Sequence, residues 1–247
     1  LRSPYSWCLA PTPYESGTNA MFPEAALSNN VDYGKNRALL AWYYIDRMFT
    51  QKNSSLAPGY IKSDLKQLSN PYVREVTSRE IFPGRELSYG ESSTIQTLNL
   101  SFYPEERGPY NLDATNIDDQ GKLLNPEKRW GGIMRKMDNT NFEQSNIEYV
   151  QFWLMNPFLD EEVTDHEGGD LYINFGEMSE DILKDGLKSY ENGLPVDGDE
   201  QFIKATTWGK VSSQNSLTYA FDNNAGSRKK QDVGFDGLVN DDEFGFD

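Results

Sequence analysis

The sequence predicts a mainly β chain: an antiparallel β-sandwich of jelly-roll type with one or two short helices. Three observations lead there. Several short runs alternate in side-chain character with period two, the period at which a strand sends successive residues to opposite faces. Clusters of Gly, Pro, Asn and Asp separate the runs, and no regular strand–helix alternation appears. Aromatic residues make up 13% of the chain. Each can bury a large area, which offsets an apolar fraction of 37% against the usual value of roughly 45–50%.

Residues 1–37 contain Pro4, Pro11, Pro13, Gly17, Pro23, Asn29, Asn30 and Gly34. They read as an irregular lead-in packed on the domain and pinned by Trp7, Tyr14 and Phe22. The sandwich itself is expected over residues 38–221. Its first run, Leu39 to Ile45, is apolar on both alternating faces and suits a strand buried on both sides, with a helix fitting almost as well. A short helix is expected around Lys62 to Leu68, stopped by Asn70-Pro71 because the residue before proline avoids helical geometry. Thr94 to Tyr103 alternates Ile95, Thr97, Asn99 and Ser101 against Gln96, Leu98, Leu100 and Phe102, a strand with one apolar face.

Gly131 to Met137 reads as another strand, Ile147 to Leu154 as the next, and Leu171 to Gly176 follows the Gly168-Gly169 turn. The pair Ile147 to Leu154 and Gly169 to Gly176 resembles the central strands of jelly-roll domains of the galactose-binding type. Ser179 stands where it would cap a short helix through Tyr190, with Glu180 and Asp181 in the first turn and Gly193 just past the end. Trp208 to Phe221 supplies a last pair of strands. Residues 222–247 form an acidic linker or a tail resembling a calcium loop.

Charge and the reactive residues exclude whole classes of function. Acids outnumber bases 39 to 23, for a net charge of −16. Nucleic acid and anionic lipid headgroups are held through clustered Lys and Arg, so a surface this negative repels both. There is one histidine, His166, and one cysteine, Cys8. An intrachain disulfide, a zinc site of Cys/His type and a two-histidine metal site are therefore impossible within the chain. A nucleophilic triad would have to use His166, which lies in the polar, Gly-rich run Asp165 to Asp170 and reads as a solvated loop residue. Cys8 follows Trp7 in an aromatic, Pro-rich stretch and reads as a small buried or half-buried thiol.

Among 39 acids, pairs such as Glu105-Glu106, Asp118-Asp119 and Asp160-Glu161-Glu162 carry almost no specificity for glycosidase chemistry. An enzyme is not expected. The longest apolar run, Ala38 to Ile45, is less than half the roughly 20 residues of a membrane-spanning helix. Opening at Leu1 without a Met or signal sequence, and stopping in an acidic, aromatic tail, the chain reads as a segment of a longer protein.

One run has the spacing of a ligand set. Asp232, Asp236, Asn240 and Glu243 occupy its first, fifth, ninth and twelfth places, with Gly237 at the sixth. That is the oxygen-ligand order of an EF-hand-type calcium loop, whose tight turn needs the glycine. Gly234, at the third place, offers no side-chain oxygen. Ca2+ is thus the one cofactor suggested, and an acidic, turn-rich linker is the plainer reading. Trp130, Trp153 and Trp208 are the candidates for a sugar-stacking platform, against the plainer reading of core or interface aromatics.

A family resemblance runs in ordered blocks along nearly the whole chain. The blocks are Phe22-Pro23-Glu24-Ala25, Tyr33 to Ala38, Leu40 to Asp46, Gln67 to Val76 and Glu80-Ile81-Phe82-Pro83. They continue through Leu98-Asn99-Leu100, Tyr103 to Asn111, Lys128 to Arg135, Asn146 to Leu154, Gly169 to Glu177 and Asp232 to Leu238. In these the chain resembles the SprA/Sov family, the outer-membrane translocon of type IX secretion and gliding motility. None of the blocks is a catalytic signature.

The resemblance implies a very large parent barrel that passes folded cargo to the cell surface and carries soluble domains inserted between its strands. It implies that this chain is such an insertion, at the outer membrane or cell surface, on either the outer or the periplasmic side. The implied partners are other translocon subunits, including a smaller barrel protein beside the pore, or secreted cargo bearing a C-terminal signal. The chain itself lacks the long series of ~10-residue alternating strands with aromatic girdles that a barrel requires. The competing expectation is a cell-surface carbohydrate-binding jelly-roll module, for which an exposed row of Trp or Tyr in a groove would speak.

Overall fold

The computed structural model describes residues 3–15, 20–51, 53–158, 168–186, 194–213 and 222–231. Its strands in chain order are β1 (Cys8–Leu9), β2 (Ala38–Tyr43), β3 (Val76–Thr77), β4 (Thr94–Ile95), β5 (Asn99–Arg107), β6 (Ile133–Met134), β7 (Ile203–Thr206) and β8 (Gly209–Ser212). The helices α1 (Gly59–Ser63), α2 (Leu65–Leu68), α3 (Ser78–Ile81) and α4 (Ala225–Gln231) are short. Among the described residues the strands pair two by two, β1 with β6, β2 with β5, β3 with β4 and β7 with β8. β3 and β4 are antiparallel with Val76 opposite Ile95, and β7 and β8 antiparallel with Ile203 opposite Ser212. The antiparallel pairing and short helices expected from sequence are present, as small separate ribbons.

Two compact units divide the chain. The first comprises Leu1–Cys8, Ala41–Ser101 and Met134–Glu177, the second Leu9–Leu40, Phe102–Ile133 and Met178–Asp247. In the first unit, the helix expected over 62–68 is present but broken at Asp64. That residue is extended, and its carboxylate accepts the N–H groups of Lys66 and Gln67, both at 3.0 Å, capping α2. Thr77 caps α3 in the same way, accepting from Glu80 N at 3.3 Å. The second unit is built around buried Tyr33, Tyr110, Leu183 and Trp208, with Leu9, Leu27, Val31 and Ile182 packed against them.

Several expected elements change. β2 ends at Tyr43 and is half-buried along most of its length, not buried on both faces. The run from Thr94 to Tyr103 divides: β4 pairs with β3, and β5 restarts at Asn99 and continues to Arg107. Pro104 sits inside β5, which a two-stranded ribbon tolerates because every strand has one unpaired edge. The strand expected over Gly131 to Met137 contracts to β6.

The strands expected at Ile147 to Leu154 and Leu171 to Gly176 do not form, and their side chains are exposed. Alternation decides which way each side chain points, but a strand exists only when a neighbour takes its backbone groups. The helix expected from Ser179 also fails over residues 180–186. Ser179 Oγ does accept from Asp181 N at 3.0 Å, so the cap turn is made. The Asp181 carboxylate then takes the amides of Asp185 (3.2 Å) and Gly186 (2.8 Å), and Lys184 turns into the left-handed region at φ 54°. A side chain has captured the donors the helix needed.

Trp208 is not a strand residue but lies in the turn of the β7–β8 hairpin, almost fully buried, followed by Gly209 at φ 98°. Of the three expected lead-in anchors, Trp7 and Phe22 are half-buried and Tyr14 is exposed. Cys8, expected to be buried or half-buried, is exposed, its Sγ donating to Met134 O at 3.5 Å.

Candidate functional site

The most elaborated cluster of polar side chains lies within the second unit, around Arg37. This residue immediately precedes β2 and is fully buried. Its Nη1 donates to Pro109 O at 3.0 Å and its Nη2 to Ala10 O at 3.2 Å. The guanidinium carbon lies 5.1 Å from the centroid of the Trp130 ring. The charge is therefore met by carbonyl dipoles and a ring face, an arrangement open to a planar guanidinium and not to a compact ammonium. Burial pushes the Arg37 guanidinium down to about 10, against weaker raising effects from Tyr33 and Tyr110, so it stays charged at neutral pH.

The backbone around Arg37 is knitted to two distant segments. Ala38 N donates to Trp130 O at 2.8 Å, and Trp130 N to Asn36 O at 3.1 Å. Gly108 N donates to Arg37 O at 3.2 Å, and Asn111 Nδ2 to both Arg37 O (2.6 Å) and Lys35 O (3.0 Å). These approaches are close. A Cβ at Gly34 would lie 2.5 Å from Tyr110 O, and one at Gly108 would collide with Ala38 O. Tyr110 itself adopts φ 63°, a conformation an aromatic residue takes only when its surroundings impose it.

A second chain of contacts leads from this point. Asn36 Nδ2 donates to Glu24 Oε1 at 2.6 Å, and Asn36 Oδ1 accepts from Arg129 Nη1 at 3.0 Å. Arg129 also donates to Lys35 O (2.8 Å) and, from Nε and Nη2, to Leu124 O (2.9 and 2.7 Å). Its Nη1 stands 3.7 Å from Asp113 Oδ2, with both side chains almost fully buried. Burial by itself would raise the Asp113 carboxyl. Donors from Thr115 N, Asn116 Nδ2, Asn116 N and Thr115 Oγ1 outweigh it and hold the group down at about 2.

These contacts use each other and backbone carbonyls, the pattern of a network that fixes a fold. Glu24 Oε2, Arg37 Nε and Trp130 Nε1 are buried in the same network without a hydrogen-bond partner. Sequence reasoning missed the cluster. Its one visible sign was Glu24, a lone charge in the apolar run Phe22-Pro23-Glu24-Ala25-Ala26.

The sequence-predicted site residues Asp232, Asp236, Asn240 and Glu243 lie outside the described residues, as do His166 and the acids Asp160, Glu161 and Glu162. Among the described residues, no group of three or more His, Cys, Asp or Glu is placed to hold a metal ion. Two of the three tryptophans follow the plainer reading of core aromatics. Trp130 and Trp208 are buried in the second unit, where a sugar ring has no access to them, and only Trp153, in the first unit, is exposed. The other paired acids serve their own loops: Glu105 pairs with Lys122 at 3.2 Å, and Asp118 Oδ1 accepts from Gln120 N and Lys122 N, both at 2.8 Å.

A scan against protein-family models found no match, and a search of curated proteins found no relative. Among the described residues no helix is long and apolar enough to cross a membrane.

Proposed function

We propose that this chain is a non-catalytic domain of a giant outer-membrane protein translocon of the type IX secretion and gliding-motility class, with a structural and protein-interaction role at the cell surface or its periplasmic side. One observation carries the reading. Four of the blocks that resemble the SprA/Sov family, around Glu24, Arg37, Pro109 and Trp130, converge on the buried network of the second unit. Motifs that meet in a fold-holding network are what a structural domain keeps. The jelly-roll arrangement belongs to the same reading, as a finer form of the antiparallel pairing seen in β3–β4 and β7–β8. Ca2+ at Asp232, Asp236, Asn240 and Glu243 is part of the proposal on spacing alone.

A cell-surface carbohydrate-binding module is the second reading, favoured by exposed Trp153 and Tyr149. A pull-down with this chain as bait against outer-membrane extract separates the two. Recovery of barrel subunits or secreted cargo supports the translocon domain. Recovery of glycans or capsule alone replaces it with the binding module.

A further inference from the structure

Two stretches of the first unit have the composition of interior strands and the surroundings of surface chain. Residues 147–156 and 168–175 run without helix, turn or bend. Along the first, Trp153 is 72% exposed and Phe152 56%, with Tyr149, Val150 and Leu154 also exposed. Along the second, Leu171, Ile173 and Phe175 are exposed. From Glu148 to Met155 no backbone group hydrogen-bonds another among the described residues, and the same holds at Ile173, Asn174 and Phe175. At 148–155 and 173–175, apolar side chains beside a backbone unpaired among the described residues form a template for strand addition, since main-chain groups supply affinity and alternate side chains supply fit.

Charge identifies the occupant. Residues 137–177 contain ten acids and not one Lys or Arg, although the whole chain has 23 of them among 247 residues. The described acids here, Asp138, Glu143, Glu148, Asp170 and Glu177, are all exposed. A second copy of this chain would bring the same acids opposite these, which disfavours self-pairing. A basic strand is drawn in and a neutral or acidic one is not.

We propose that residues 147–156 and 173–175 are a docking edge for an extended basic segment of a partner protein, one with apolar residues alternating with Lys or Arg, added as a β-strand. The surface is defined by this chain alone and does not depend on the parent being a translocon.

The probe is a labelled peptide of about ten residues alternating Lys and Val, a length that matches the longer run. Its control alternates Glu and Val. With the whole 247-residue chain, fluorescence anisotropy gives affinity and hydrogen exchange gives location. The expected result is saturable binding of the Lys/Val peptide at least about tenfold tighter than the Glu/Val peptide, weakening as salt is added. Exchange slows at 148–155 and 173–175.

Val150→Pro, which removes one amide from an exposed non-helical stretch, weakens binding by about tenfold, whereas Val150→Ala stays within about twofold. Trp153→Ala and Phe152→Ala together weaken it as well. Far-UV circular dichroism matching the parent confirms that each variant is folded. Absence of Lys/Val binding at millimolar peptide overturns the proposal, as do equal affinity for both peptides, protection elsewhere, or equal effects of proline and alanine at 150. Concentration-dependent self-association that protects the same amides without peptide also overturns it, making the occupant a second copy.

Discussion

The guanidinium of Arg37 lies over the ring of Trp130, 5.1 Å from its centroid, while the two residues form a parallel bridge through their backbones. The side-chain stack and the main-chain pairing thus hold the same two positions together.

Arg37→Lys is expected to lower stability by about 2 kcal/mol, because an ammonium cannot serve Pro109 O, Ala10 O and the ring at once. Arg37→Met is expected to cost about 3 kcal/mol, since it leaves both carbonyls buried without their donor. Urea unfolding of the variants provides the measurement. A methionine variant as stable as the parent would show that the buried charge contributes nothing net.

Asp113 makes stability depend on acid. Its carboxyl titrates at about 2 in the folded chain, against an ordinary value of 3.8. A carboxylate depressed by folding adds stability that is complete above its ordinary value and is lost as pH falls from there toward the folded one. The gap is worth about 2 kcal/mol. Between about pH 5 and pH 2, the parent should lose that much more stability than Asp113→Asn, which has no carboxyl to protonate. Parallel curves for the two proteins would exclude the effect.

Gly108→Ala is expected to destabilise the second unit by about 2 kcal/mol or more, because the added carbon meets the backbone carbonyl of Ala38, which cannot step aside as a flexible side chain would. Gly59→Ala, where a Cβ meets nothing within 4 Å, is the matched control and should be close to neutral. Thermal melts of the two variants decide it.

Calcium gives a test of the C-terminal run. Millimolar Ca2+ is expected to raise the melting temperature, by the equivalent of about 2.7 kcal/mol if the ion stands at a hundred times its Kd. Asp236→Ala should abolish the shift. An unchanged melt of the parent protein in millimolar Ca2+ would mean that the run is only an acidic linker.

What the sequence made legible was what depends on neighbours along the chain. The strand at Ala38 to Tyr43, the helical stretch ending before Asn70-Pro71 and the capping oxygen of Ser179 are all local decisions. Partners across the chain were not legible. Arg37 carries no sign in sequence that Ala10, Pro109 and Trp130 enclose it, so a lone arginine reads as surface. The run Ile147 to Leu154 has every side-chain feature of a strand, yet strand formation turns on a neighbour that the same run cannot specify. At Ser179 the cap was read correctly, and the helix was lost to competition from Asp181, one residue of side chain against several of backbone.

The parallel bridge between Arg37 and Trp130 spans roughly ninety residues of chain. During synthesis the arginine leaves the ribosome first. At translation rates of roughly 5–20 residues per second, it waits about 5–20 s before its aromatic cover is made. Through that interval the nascent second unit cannot close, and its first segment, Leu9–Leu40, is a substrate for holding chaperones and proteases. A stop or stall before position 130 therefore releases a chain whose Arg37 lacks its aromatic cover, which gives quality control a mark for removing incomplete copies.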